Sequence, residues 1–178
     1  VNYPLGKFIL NNVNFGIHDP LIPILKAAGY KCINHPSDSA AVIITLPIKY
    51  EGVEFSEVNG VPVNLESAIT QLERYKMLMH HYCHQNVSCT ISYSIDETKE
   101  IVDWLFNNWD SYVAVSFLFR NDPTKTAKDL GYDYLPQEVV TQEVFDAYIS
   151  KLLPVNLESA LGFAEVQDDC ATGACPIR

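Results

Sequence analysis

Basic residues are scarce in this chain. Lys plus Arg number 12 against 22 Asp plus Glu, so the net charge is −10. A chain this acidic does not grip a phosphate backbone by general electrostatics, and nucleic acid is not an expected partner. A local anion site made from a few backbone N–H groups stays compatible with that charge. Long apolar runs are missing too. The longest, residues 40–48, is broken by Thr45 and Pro47, far short of the ~20 residues of a membrane helix. No basic segment followed by an apolar stretch opens the chain, so nothing resembles a signal peptide. Glycine-rich phosphate loops, G-x-S-x-G and specific paired-carboxylate motifs are all absent. What remains is globular in composition: 178 residues, 48% apolar and 19% charged, enough for one core.

The chain begins at Val1, which reads as a piece of something longer or one product of a split chain. Its five cysteines are Cys32, Cys83, Cys89, Cys170 and Cys175. Five cannot all pair internally, and the chain is not cysteine-dense as small secreted scaffolds are. A cytoplasmic setting with mostly reduced thiols is the expectation.

Hydrophobic patterning predicts alternating helices and strands. Residues 19–28 open with Asp-Pro and close before Gly29, marking a short helix with Leu21, Ile24, Leu25 and Ala28 on one face. Residues 41–48 (AVIITLPI) read as a strand buried on both faces, as in parallel sheets. Asn59-Gly60 lies in a loop or hairpin over 50–63. Asn64 is the expected cap of a helix over 65–82. A β-rich stretch at 87–93 precedes Ser94-Ile95-Asp96-Glu97, a capping box for a helix with Ile101, Val102, Leu105 and Phe106 inward. Residues 112–119 (YVAVSFLF) make a third strand, 121–137 are irregular, and Thr141 starts a last helix. That helix has Val144, Phe145, Tyr148, Ile149 and Leu152 inward. The pattern is α/β with parallel connections, short of strands for a complete sheet. The heptapeptide PVNLESA occurs at 62–68 and again at 154–160, both copies reading as helix starts.

Cys170-Ala-Thr-Gly-Ala-Cys175 is the feature most suggestive of chemistry. Small intervening residues with a glycine can bend far enough to close a disulfide. A loop this short costs little entropy to form, so the pair can cycle. Asp168 and Asp169 nearby raise rather than lower a thiol pKa, which favours a shuttle over an activated nucleophile. Two incidental cysteines at the end of the chain are the competing reading. His80, His81, Cys83 and His84 suggest metal ligands, but no second cluster at zinc spacing accompanies them. A polar helix end is favoured, and no metal is expected. Cys32 and Cys89 read as packing residues. His35 to Ser39 read as a turn rather than a phosphate nest, because ligand loops in α/β sheets follow strands.

Four stretches together resemble the C-terminal part of adenosylcobalamin-dependent (class II) ribonucleotide reductases, of the monomeric triphosphate-reducing kind. Residues 3–30 are similar to a helix pair following the family's phosphate loop, with Asn11-Asn12 where two arginines are expected. Residues 41–49 are similar to a barrel strand, and residues 86–91 and 115–118 to the last barrel strands. The final Cys170-x4-Cys175-Pro-Ile-Arg resembles the family's redox tail.

The resemblance implies residues 1–162 as the C-terminal portion of a ten-stranded α/β barrel and 163–178 as a flexible tail. It implies radical chemistry initiated by adenosylcobalamin, converting ribonucleoside triphosphates to 2′-deoxyribonucleotides. Cys170 and Cys175 would re-reduce the active-site disulfide and be reduced in turn by thioredoxin. The family's radical cysteine and its two barrel cysteines have no match here. The chain is therefore expected to need a missing N-terminal part and to be inactive alone. Cobalamin-contacting residues are not identified. A stand-alone dithiol redox or interaction protein without reductase activity is the alternative.

Overall fold

The computed structural model describes residues 4–156. The proposed tail, with Cys170 and Cys175, and the helix start expected at the second PVNLESA copy lie outside them. Elements run in the order β1 (Phe8–Gly16), α1 (Leu21–Ala27), β2 (Cys32–Asn34), β3 (Ala41–Lys49), β4 (Ser56–Val58), β5 (Val61–Val63) and α2 (Ala68–His81). There follow β6 (Thr90–Tyr93), a 3₁₀ turn at Ile95–Glu97, α3 (Thr98–Asn107), β7 (Ser116–Phe119), β8 (Gln137–Val139) and α4 (Gln142–Ile149).

The strands form three separate sheets rather than a barrel. One is four-stranded in the order β2-β3-β1-β8, one is the β4–β5 hairpin, and one is the β6–β7 pair. This corrects the expectation of a portion of a ten-stranded barrel. Closing a barrel requires every edge strand to find a partner. Among the described residues the largest sheet ends on the three-residue strands β2 and β8, and the β6–β7 pair joins no other strand.

Two further expectations are corrected in that large sheet. Residues 8–16 (FILNNVNFG) form its central strand β1, not part of a helix pair. Strand β3 pairs antiparallel with β1 along nine residues, from Phe8↔Lys49 to Gly16↔Ala41, and antiparallel with β2. A continuous apolar run marks a strand covered on both faces but does not fix the direction of its neighbours. Ile9, Ile43 and Ile44 are fully buried here. Leu25 of α1 packs near Val42 and Ile44, and Phe145 of α4 stacks tilted on Phe8 at 5.2 Å. The inward set expected for α4 is only partly right: Phe145 is buried, while Val144 and Ile149 are exposed.

Polar ties fasten this sheet. Asn12 donates through Nδ2 to Leu135 O at 2.7 Å and Glu138 Oε1 at 2.6 Å, and its Oδ1 accepts from Thr45 Oγ1 at 2.7 Å. One buried amide thus joins β1 to β3 and to the segment entering β8. Tyr148 donates to Thr45 O at 2.8 Å and accepts from Lys31 N at 3.0 Å, holding α4 to the sheet. Gly29 has a φ of +88°, and a Cβ there would lie 2.7 Å from Lys151 O. A glycine is needed for α1 to end against that chain reversal.

The second unit is α2–β6–α3–β7, with β6 and β7 parallel from Thr90↔Ser116 to Tyr93↔Phe119. Its core is Ala68, Leu72, Tyr75, Cys89, Ile91, Ile101 and Trp104. The capping box at Ser94 and Glu97 forms as expected. Trp104 takes the inward place on α3 that Phe106 was expected to fill, because Ile101 and Trp104 share a face while Val102 and Phe106 are exposed. Helix α2 is capped by Ser67, which accepts from Thr70 N at 3.1 Å, three residues later than the expected Asn64. The third strand expected over 112–119 forms only at its end, as β7, and is exposed along all four residues despite its apolar sequence. Between the two units the β4–β5 hairpin turns at Asn59 (φ 53°) and Gly60 (φ 80°), both left-handed, as the Asn-Gly pair predicts.

Candidate functional site

Parallel strands with following helices gather strand carboxyl ends and helix amino ends on one side, where α/β proteins bind ligands. Ser94 directly follows β6 and Arg120 directly follows β7. Beside them lies a cleft of about 950 Å³, lined by Asn64, Ser92, Ser94 and Arg120 with walls that include Val61, Val63, Phe119, Leu130 and Val144. This is within the size of ordinary small-molecule sites.

Arg120 organises the floor. Nη1 donates to Glu97 Oε2 at 3.0 Å and Ser94 Oγ at 3.3 Å. Nη2 donates to Ser92 O at 2.9 Å and to the carbonyl of Glu66. Glu97 is itself fixed, accepting from Ser94 N and Ala68 N, each at 2.7 Å. A carboxylate is thus held at the amino ends of both α2 and the α3 segment, where backbone N–H groups favour negative charge. Gln71 and Ser92 exchange hydrogen bonds, Gln71 Nε2 to Ser92 O and Ser92 N to Gln71 Oε1, both at 3.0 Å. The amide side chain supplies the partner that a further strand would give β6.

Two donors in this tightly bonded floor are left over. Arg120 Nε and Asn64 Nδ2 are buried and have no hydrogen-bond partner among the described residues. Asn64 is only 6% exposed, and its Oδ1 is engaged by Glu66 N at 2.9 Å. Both side chains meet the same residue, Asn64 at the N–H of Glu66 and Arg120 at its carbonyl. Charge in the cleft is balanced, with Arg120 and Lys125 against Asp122 and Glu138.

Neither donor was singled out by sequence reasoning as a binding residue. Asn64 was read as a cap, and the cue for Arg120 was its place directly after the strand SFLF. Of the residues that were singled out, Cys89 is buried in the α2–α3 core and Cys32 is half-buried against the large sheet, so both pack. Burial pushes both thiols above their ordinary pKa, with Lys26 partly opposing it at Cys32. His80 and His81 occupy the last turn of α2. Among the described residues no three His, Cys, Asp or Glu side chains gather as a metal site. His35 bonds Tyr134 at 3.0 Å, and its Nδ1 accepts from Ser37 N at 3.2 Å within the β2–β3 turn. No helix among the described residues is long and apolar enough to cross a membrane.

No protein-family model matches the chain. Curated relatives do. The chain is 25% identical over 186 aligned residues to the adenosylcobalamin-dependent ribonucleoside-triphosphate reductase of Levilactobacillus brevis, covering 100% of itself and 24% of that protein. It is 24% identical to the protein of the same name from Lactobacillus leichmannii, with the same coverage. Among solved structures, a B12-dependent (class II) ribonucleotide reductase superposes with a TM-score of 0.62 at 21% identity, over 94% of this chain and 22% of that one. The chain is a homologue of class II ribonucleotide reductases. It spans about a quarter of the length of these reductases, and the fold described above is that of the matched portion.

Proposed function

We propose that this chain is the C-terminal part of an adenosylcobalamin-dependent reductase that converts ribonucleoside triphosphates to 2′-deoxyribonucleotides. The observation that carries the reading is the reach of the relationship, which extends over 100% of the chain. The Cys170-x4-Cys175-Pro-Ile-Arg terminus of the sequence agrees with it. The role assigned to this chain is regeneration. One thiolate of the Cys170/Cys175 pair attacks the active-site disulfide, forming a mixed disulfide and releasing one active-site thiol. The second thiolate attacks the first cysteine's sulfur, closing the Cys170–Cys175 disulfide and releasing the other. Two electrons and two protons pass to the active site, and the thioredoxin dithiol restores the pair by the same exchange.

Adenosylcobalamin supplies radical initiation when bound. The described residues do not identify a contact for it: the two unused donors beside the cleft, Asn64 Nδ2 and Arg120 Nε, are buried and shut off from solvent. The chain lacks a match to the family's radical cysteine and is expected to form no deoxynucleotide alone.

The test is direct. The full chain is oxidised, the Cys170–Cys175 disulfide is mapped by mass spectrometry, and its reduction by thioredoxin with thioredoxin reductase is followed through NADPH consumption. The reading expects stoichiometric reduction that is absent in Cys170→Ser and Cys175→Ser. Thiols that never pair, or a disulfide inert to thioredoxin, would contradict it.

A further inference from the structure

Of the twelve asparagines in the chain, Asn59 alone is followed by glycine. An asparagine side chain is open to attack at Cγ by the backbone nitrogen of the next residue, and a Cβ on that residue hinders the approach. Gly60 brings none, and a Cβ built there would meet nothing within 4 Å, so that side of the turn faces solvent. Both residues are exposed. Among the described residues no hydrogen bond holds the Asn59 amide or the Gly60 N–H. Other asparagines are held or hindered. Asn12 is buried with three hydrogen bonds, and Asn64 is buried. Asn86 accepts from Tyr75 Oη, and Asn108 bonds both Lys76 and Trp104. Asn34 and Asn121 are exposed but are followed by His35 and Asp122, which carry full side chains.

Ring closure requires the turn to open. Asn59 sits at φ 53° and Gly60 at φ 80°, and Asn59 must rotate out of this turn before the Gly60 nitrogen meets its Cγ. Little resists that rotation. Among the described residues β4 pairs only with β5, along three residues, and a two-stranded ribbon is marginal by itself. The ties to the rest of the molecule run through β5: Lys7 N donates to Pro62 O at 3.0 Å, and Gly6 bridges Val63. The turn and β4 therefore open at low cost while β5 stays fixed.

We propose that Asn59 is a deamidation site, the first in the chain to convert, and that its conversion turns a charge-balanced cleft acidic. The Gly60 nitrogen bonds to Asn59 Cγ, its proton leaves with the departing ammonia, and a five-membered succinimide forms. Water then opens either ring carbonyl, giving aspartate or an isoaspartate whose main chain runs through the side-chain carbon; no electrons are exchanged. Either product carries a carboxylate where a neutral amide stood. Asn59 lines the cleft in which Arg120 and Lys125 offset Asp122 and Glu138. Isoaspartate also adds a methylene to a two-residue loop, which disturbs the Val58↔Val61 register. The proposal does not rest on the reductase reading.

The full 178-residue chain is aged in mildly alkaline ¹⁸O water and its peptides are mapped by mass spectrometry, which marks each converted asparagine. Isoaspartate is read separately, as methyl transfer from S-adenosylmethionine by an isoaspartate methyltransferase. Asn59 should convert ahead of Asn34 and Asn121, with one negative charge gained on ion exchange and faster hydrogen exchange over residues 56–63. Asn59→Gln, whose longer side chain would have to close a six-membered ring, should remove both the early charge gain and the methyl acceptance. Conversion of Asn34 or Asn121 first, or an aged chain that accepts no methyl group, overturns the proposal. The map of the unaltered chain decides the order without any variant having to fold.

Discussion

Two buried amides of the same residue type do opposite things in this molecule. Asn12, in the centre of the antiparallel sheet, uses Nδ2 twice and Oδ1 once. Asn64, at the mouth of the parallel unit, is as buried but has an unpartnered Nδ2 among the described residues. The comparison extends to their surroundings. Around Asn12, the sheet holds Ile9, Ile43 and Ile44 fully buried and is tied by Thr45 and Tyr148. Around Asn64, the neighbouring strand β7 is exposed throughout, and Arg120 also keeps an unused donor. A saturated polar network helps specify a single fold, whereas each buried donor left unpaired carries a desolvation cost.

The largest effects should come from the two cores. Ile44→Ala beneath the sheet and Leu72→Ala in the α2–α3 core both remove fully buried side chains. Each should cost about 2–5 kcal/mol in urea unfolding. Equal losses would mean that the open β6–β7 unit is as cooperative as the sheet, while a much smaller loss at Leu72 would mark it as the weaker region.

The amide pair gives the sharper contrast. Asn12→Ala strands the Thr45 hydroxyl, the Leu135 carbonyl and Glu138, and should cost about 2–3 kcal/mol. Asn64→Ala forfeits one bond to Glu66 N but also removes an unpaired donor, so about 1 kcal/mol or less is expected. Denaturation midpoints that reversed this order would break the comparison.

Alkali should act next. Burial pushes Cys89 and Tyr148 up from their ordinary values of 9.0 and 10.0, which stand for the unfolded chain. In the window above those values the unfolded chain releases protons that the folded chain retains. Stability is therefore complete below about pH 9 and declines as the pH rises beyond it. Tyr148→Phe and Cys89→Ala should each flatten that decline in melts recorded across this range. The smallest effect belongs to β7, where Leu118→Ser on the exposed strand should change stability by about 0.5 kcal/mol or less. It should nonetheless lower the binding of a hydrophobic dye, if the strand's apolar surface is as open as its exposure indicates.

Local signals were the legible ones. The Asn59-Gly60 hairpin, the Ser94/Glu97 capping box and the helices near 21–27, 68–81, 98–107 and 142–149 all follow from short-range chemistry. Strand β1 was not legible as a strand, because Asn11, Asn12 and Asn14 interrupt its apolar alternation. Asn12 is buried through its bonds to Glu138 and Thr45, 126 and 33 residues away. The antiparallel direction of β3, the exposure of β7 and the separation into three sheets depend on such distant partners, which no local window contains. The Asn64–Arg120 pair has the same character, since its two members meet at Glu66, far from Arg120 in sequence.

Regeneration by Cys170 and Cys175 is best tested inside the longer protein. The chain is expressed within the longer reductase of which it is proposed to be a part, carrying Cys170→Ser or Cys175→Ser. Deoxynucleotide formation is then measured with thioredoxin as reductant and, separately, with dithiothreitol. Either substitution should abolish thioredoxin-driven turnover while turnover with the small dithiol, which needs no carrier to reach the active-site disulfide, persists. Unchanged turnover with thioredoxin in both variants would contradict regeneration by this pair.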